Sequence, residues 1–149
     1  MKLNTAGYRL ICMFEGFSAK PYLCSAKVPT IGYGSTYYLN GKKVTLLDKP
    51  ITELEAFEMF KAIADKFADK VSKLVTAPID QAQFNAIVSL TYNIGPANFQ
   101  KSTLLKKVNF NHNDPSIRAE FLKWNKAGGQ VLKGLTIRRK AEADIYFGE

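Results

Sequence analysis

Apolar positions along the chain change period twice, and each change marks a different kind of element. Over residues 5–15, Leu10, Ile11 and Phe14 share one face at helical spacing, with Thr5 as the predicted N-cap of a first helix. From Gly16 to about Thr45 that period is lost, and Gly, Pro, Ser and Tyr dominate. "VPTIGYG" and "STYYL" read as short strands, and Asn40-Gly41 is a strong hairpin turn, so residues 16–50 or so form a small β lobe. The helical period then returns. Thr52 with Glu55 three positions on is a capping box, and Pro50 keeps the chain before it out of the helix. Leu54, Phe57, Phe60, Ala64, Phe67, Val71 and Leu74 make an apolar stripe opposite Lys66, Asp69, Lys70 and Lys73. At about 1.5 Å per residue, a helix over 52–75 exceeds ~30 Å, long enough to connect two lobes.

Beyond Pro78 the pattern stays helical. Asp80 and Gln83 form a second capping box, and "FNAIVSLTYNI" is apolar nearly all round, as a central buried helix is, until Gly95-Pro96 ends it. Ser102 caps "STLLKKV". Asp114 caps "DPSIRAEFLKW", with Pro115 at its first helical position; Gly128-Gly129 is a loop, and "TIRRKAEADIYF" is a closing helix. The fold class is therefore α+β: one domain with a hairpin lobe, a connecting helix, and a helical lobe of residues 1–15 and 76–149. Two such lobes leave a cleft, and Glu15 stands where the chain passes from one to the other.

Composition narrows the function classes. With 149 residues, 46% hydrophobic and 23% charged, the chain is an ordinary globular domain. Its apolar runs fall short of the roughly 18 residues that a membrane span needs. The start, "MKLNTAGYRLICMF", lacks a basic region followed by an apolar core, so a protein made in the cytoplasm without its own export signal is expected. Two cysteines, Cys12 and Cys24, are too few for a disulfide scaffold, and the single histidine, His112, lies alone in an Asn-rich loop, which argues against a metal site. The net charge of +8 favours a polyanionic partner: nucleic acid, an anionic membrane face or an acidic wall polymer. Apart from Arg138-Arg139-Lys140 the basic residues are scattered, which points to general attraction rather than sequence readout.

Glu15 carries the chemistry. It ends an apolar-faced helix, and turn- and β-formers follow it, so it is aimed at something other than the core. Glycoside hydrolysis needs a carboxyl to protonate the leaving oxygen, and an inverting enzyme adds a group that helps water attack the opposite face of the sugar. A partly desolvated carboxyl holds its proton nearer neutrality than a solvated one. Eight residues lie between Glu15 and Cys24, and five between Cys24 and Thr30.

That spacing resembles the signature of the phage-type lysozymes (endolysins): Glu, eight residues, Asp or Cys, five residues, Thr. "PTIGYG" resembles the family's strand after the catalytic loop, and "QFNAIVSLTYNIGPANFQKSTLL" is similar to its central helix. "FLKWNKAGGQVLKGLTIRRKAEADIYF" is similar to its C-terminal Trp, Ala-Gly-Gly, Gly-Leu, Arg-Arg and Glu pattern. The three matches run in order and cover nearly the whole chain. The resemblance implies a lysozyme-like two-lobed fold and a muramidase that cuts the β-1,4 bond between N-acetylmuramic acid and N-acetylglucosamine. Glu15 is then the general acid, and Thr30 holds the attacking water. Arg139, or its neighbour Arg138, pairs with Glu15, while Asn93 donates hydrogen bonds to the sugar. For Cys24 three roles stay open: a thiolate stabilising charge at the anomeric carbon, a nucleophile, or a space-filling side chain. Cys12 reads as a small buried hydrophobe; pairing with Cys24 is the alternative, since some relatives trap this cysteine in a disulfide. The family often has histidine where Ser35 follows Gly34, a departure that touches an inter-lobe ion pair rather than activity.

By the same resemblance no cofactor and no metal is implied. The partner is bacterial peptidoglycan, not nucleic acid, with no stable membrane insertion and a monomeric state. The protein waits in the host cytoplasm until release and acts on the wall in the periplasm. A lytic transglycosylase using Glu15 alone is the alternative. A basic nucleic-acid-binding domain and an inactive wall-binding domain are the non-enzymatic rivals.

Overall fold

Asn4, not Thr5, caps the first helix. In the computed structural model, which describes residues 1–149, helix α1 runs Thr5–Glu15, and the Asn4 side-chain oxygen accepts the Gly7 N–H at 3.0 Å. Thr5 is one residue too late, because the free donors of a first turn are reached from the residue just before it. Chain contacts divide the molecule into two compact units: Ile11–Lys66, and Met1–Leu10 together with Phe67–Glu149.

In the first unit, β1 (Ser18–Leu23) pairs antiparallel with β2 (Pro29–Gly32), with Tyr22 opposite Thr30 and Leu23 opposite Pro29. The register shifts between Ser18 and Tyr22, the stretch that holds Pro21, which has no N–H to give a ladder. The sequence pattern hid β1 because its apolar residues do not alternate. "STYYL" does not form a full strand. It contributes two isolated bridges, Ile31 with Ser35 across Gly32-Tyr33-Gly34, and Tyr37 with Lys43 across the Asn40-Gly41 turn, where Gly41 has φ 84°. Ile31, Val44 and Met59 form the small core here, with Tyr38 and Ile51 packed against it. Helix α2 (Glu53–Leu74) starts at the predicted capping box, Glu55 N–H donating to Thr52 Oγ1 at 3.1 Å and Thr52 N–H to Glu55 Oε1 at 3.3 Å. Its buried face keeps Phe60, Ala64 and Val71 of the predicted stripe, with Phe57, Phe67 and Leu74 half-buried beside them, and only Leu54 departs from it. Ala56, Met59, Phe60, Ala64, Ala68 and Val71 are buried, whereas Leu54 is 70% exposed. The small alanines let the helix approach its neighbours, and Leu54, in the first turn, lies beyond that face.

The second unit is helical. Helix α3 (Gln81–Ile94) has the predicted Asp80–Gln83 capping box, is buried from Gln83 to Thr91, and ends at Gly95 with φ 92°. Helices α4 (Pro96–Lys101), α5 (Thr103–Phe110), α6 (Ile117–Leu122) and α7 (Lys133–Tyr146) follow, with the hairpin β3 (Lys126–Ala127) and β4 (Gln130–Val131) turning at Gly128-Gly129. Helix α3 packs chiefly on α7. Phe84, Ile87, Leu90, Phe99, Leu104, Phe121 and Tyr146 are each buried to 2% exposure or less, and each contributes about 1.5–3 kcal/mol by burial. Ser102 caps α5 by accepting the Leu105 N–H. Asp114 and Pro115 do not open α6. The Asp114 carboxylate accepts the Ser116 N–H within a turn, and the helix starts at Ile117. Helix α7 begins three residues before the predicted closing helix. The architecture is α+β, and no helix is long and apolar enough to cross a membrane.

Candidate active site

Glu15 is the last residue of α1 and is half-buried. The helix closes with Gly16 N–H donating to Cys12 O at 3.1 Å, and Gly16 then reverses the chain at φ 73°. A helix end followed by a left-handed glycine turns the backbone away while leaving the last side chain at the rim. Gly34 lies against that side chain: a Cβ built on Gly34 would sit 3.6 Å from Glu15 Oε1. The Gly-Tyr-Gly of "PTIGYG" therefore borders the carboxyl, with φ 67° at Gly32 and 92° at Gly34.

Cys24 and Thr30 meet at the β1–β2 turn. The turn is closed by Cys24 N–H to Val28 O at 3.1 Å and Lys27 N–H to Cys24 O at 2.8 Å, and Lys27 takes a left-handed φ of 60°. This folding aims backbone donors at the partly exposed Cys24 thiol. The N–H of Val28 foremost, then that of Ala26 and the Thr30 hydroxyl, hold its pKa below the ordinary thiol value. Thr30 is 3% exposed, and its hydroxyl donates to Val28 O at 2.8 Å. A hydroxyl has one proton, so donation to Val28 and donation to the Cys24 sulfur are alternatives, and its lone pairs remain open to a water. The lowering is a property that sequence reasoning did not find, because its foremost causes are main-chain N–H groups.

Cys12 is different. Burial, then the charges of Glu15 and Glu53, push its thiol up to about 11, so it stays protonated and unreactive. Both cysteines are free. No group of three or more His, Cys, Asp or Glu side chains stands close enough to hold a metal ion.

In the helical unit, Asn93 is exposed on the last turn of α3 and lines a groove of about 390 Å³ with Asn98, Trp124, Lys126 and Leu132. Arg139 is fully buried. It grips Glu142 side-on, Nε to Oε1 at 2.7 Å and Nη2 donating to Oε2 at 3.3 Å, and Nη1 donates to Trp124 O at 3.3 Å. Arg138 donates from Nε to the same Glu142 at 3.3 Å and from Nη2 to Ser89 O at 3.2 Å. Burial pushes the Glu142 carboxyl up, against the pull of Arg139, the Ser89 hydroxyl and Arg138. Glu142, which sequence reasoning passed over as part of a motif, is the hub of this buried network.

Comparison with known proteins gives consistent neighbours. A model of the phage lysozyme family matches residues 12–142. An endolysin of Bacillus phage B103 is 38% identical over 99% of this chain and 54% of its own, and the chain spans about half the length of the Bacillus phage relatives it matches. The structure of an endolysin from Escherichia coli O157:H7 phage FAHEc1 superposes with a TM-score of 0.89 at 37% identity, covering 98% of this chain and 93% of that one. The muramidase domain of SpmX from Asticaccaulis excentricus superposes at 0.83 and 28% identity, covering 97% of both chains.

Proposed function

From the chain's membership of the phage lysozyme family, we propose that it is an endolysin that hydrolyses the β-1,4 bond between N-acetylmuramic acid and N-acetylglucosamine in bacterial peptidoglycan. Glu15 protonates the bridging oxygen as the bond to the anomeric carbon lengthens. A water polarised by the Thr30 hydroxyl and the Cys24 sulfur attacks the opposite face of the sugar, which inverts the anomeric centre. A negative sulfur near the oxocarbenium-like transition state stabilises its positive charge. Asn93, on the rim of the groove that holds Trp124, binds the sugar amide or hydroxyls. The family resemblance assigns the orientation of Glu15 to Arg139, or to its neighbour Arg138; Arg139 also ties α7 to the Trp124 carbonyl.

The observation that supports this reading is the β1–β2 turn, which sets Cys24 beside Thr30 and whose Val28 and Ala26 N–H groups lower the thiol's pKa. The test is a peptidoglycan zymogram of the wild type beside Glu15→Gln, with mass spectrometry of the digest. Clearing by the wild type alone, with reducing muramic ends, is expected. Clearing by Glu15→Gln overturns the assignment of the acid. Anhydromuramic ends would make the chain a lytic transglycosylase, and wall binding without clearing would leave a binding domain.

A further inference from the structure

Gly34 forms a wall beside Glu15, and one side-chain hydrogen bond ties that wall to α2. Tyr33, between Gly32 and Gly34, is 9% exposed, and its hydroxyl donates to Glu53 Oε1 at 2.9 Å. Glu53 is the first residue of α2, exposed to solvent. The Tyr33 ring is held between Phe17, at 5.4 Å between centroids, and Phe60, at 6.0 Å edge-on. On one side of it, Gly32 rests on α2 so closely that a Cβ would lie 2.9 Å from Ala56 Cβ; on the other, a Gly34 Cβ would lie 3.6 Å from Glu15 Oε1. The tripeptide therefore runs from the helix to the acid, and Tyr33 is its pin. The Ile31–Ser35 bridge closes this turn, with both of its N–H···O bonds at 2.9 Å, and Tyr33 adds the side-chain bond that ties the turn to the start of α2.

We propose that Glu53, acting through Tyr33, is a positioning residue that sets the Gly34 backbone against the Glu15 carboxyl. The proposal rests on the reading of Glu15 as the acid. The phenol is a permanent donor: burial, then the bond to Glu53, push it up to about 12. Glu53 acts as an acceptor rather than as a charge, so an amide serves in its place.

The experiment measures turnover and apparent KM on dye-labelled purified peptidoglycan for Tyr33→Phe, Glu53→Ala, Glu53→Gln and the Tyr33→Phe/Glu53→Ala double variant, with thermal melts and a Glu15→Gln control. Tyr33→Phe and Glu53→Ala are expected to lower kcat roughly tenfold with KM within about twofold. The double variant should be no worse than either single one, and Glu53→Gln should restore most of the rate. Additive losses, an effect on KM alone, or Glu53→Gln as slow as Glu53→Ala overturn the proposal. If Tyr33→Phe does not fold, the Glu53 pair decides it, since Gln and Ala remove the same charge from the helix start. Full activity in Glu15→Gln overturns the acid assignment as well. An inactive Glu15→Gln beside fully active Tyr33→Phe and Glu53→Ala overturns the positioning role alone.

Discussion

Replacing Cys24 by aspartate should raise activity, and should do so more at low pH than at high. The reasoning starts from the β1–β2 turn, where Val28 and Ala26 N–H groups and the Thr30 hydroxyl favour the charged form of whatever stands at position 24. A thiol at its ordinary value of about 8.5 is only ~3% thiolate at pH 7. If the anion is the working form, that fraction limits the rate. Aspartate, ordinarily near 3.9, is anionic throughout the range. The gain at pH 7 therefore has a ceiling of about thirtyfold, reduced by however far the turn already lowers the thiol, since each unit of lowering removes about tenfold. The sign follows from the direction of the shift: wild-type activity climbs as pH rises through the lowered thiol value, while Cys24→Asp shows no such limb. The assay is initial lysis rate on purified peptidoglycan from pH 6 to 9 for the wild type, Cys24→Asp and Cys24→Ser. Serine accepts the same N–H bonds but stays neutral, so it should be slow at every pH. A ratio of Cys24→Asp to wild type that does not fall with pH, or a serine variant as fast as the wild type, refutes the reasoning.

Other perturbations read different links. Iodoacetamide should label Cys24 well before Cys12, whose thiol is pushed up to about 11, and should block lysis; full labelling of Cys24 with activity intact overturns its place in the site. Arg139→Ala leaves a fully buried Glu142 with only Arg138 and the Ser89 hydroxyl and should cost about 3–5 kcal/mol in urea unfolding, whatever its effect on turnover; a loss under ~1 kcal/mol would show that these two partners suffice. Phe84→Ala, at a side chain 1% exposed in α3, should cost about 3–5 kcal/mol by the same measurement. Gly32→Ala combines a left-handed φ of 67° with a Cβ 2.9 Å from Ala56, so its midpoint should fall, and by more than that of Gly41→Ala, whose Cβ meets nothing within 4 Å.

Most helix positions were legible in the sequence, above all where a capping box or a glycine stop decides them. The Thr52–Glu55 and Asp80–Gln83 capping boxes, the Ser102 cap and the Gly95-Pro96 stop all stand where side chain and main chain satisfy each other within four residues. Two starts misled locally, since Asn4 rather than Thr5 caps α1 and Asp114 closes a turn before α6; the rest of what escaped depends on partners distant in sequence. Leu54 looks like a core residue by periodicity, but the face of α2 that is buried was chosen by what packs on it, and small alanines won. Strand β1 escaped because a proline and a register shift break its alternation. At the candidate site, residue types and spacing pointed to Glu15, Cys24 and Thr30. The ionisation of Cys24 was not legible, because its determinants are the N–H groups of Val28 and Ala26, which every sequence has. The Tyr33–Glu53 bond was hidden for another reason: twenty residues separate partners that only the folded β hairpin brings to the start of α2.

If position 24 works as an anion, the same turn should accept either a thiol or a carboxylate there. A catalytic anion held by side chains would need its partners to change with it, since a sulfur and a carboxylate differ in reach and in hydrogen-bond geometry. Here the foremost donors are main-chain groups, fixed by the Cys24–Val28 and Cys24–Lys27 bonds and by the left-handed turn at Lys27. They favour negative charge without regard to the atom that bears it. The selectivity of the position therefore lies in the conformation of residues 24–28, and a substitution at Lys27 that cannot hold φ 60° should disturb the anion more than an isosteric exchange at Val28. On this view the cost of a cysteine is not a wrong geometry but a smaller anionic fraction at neutral pH, which the N–H groups partly offset.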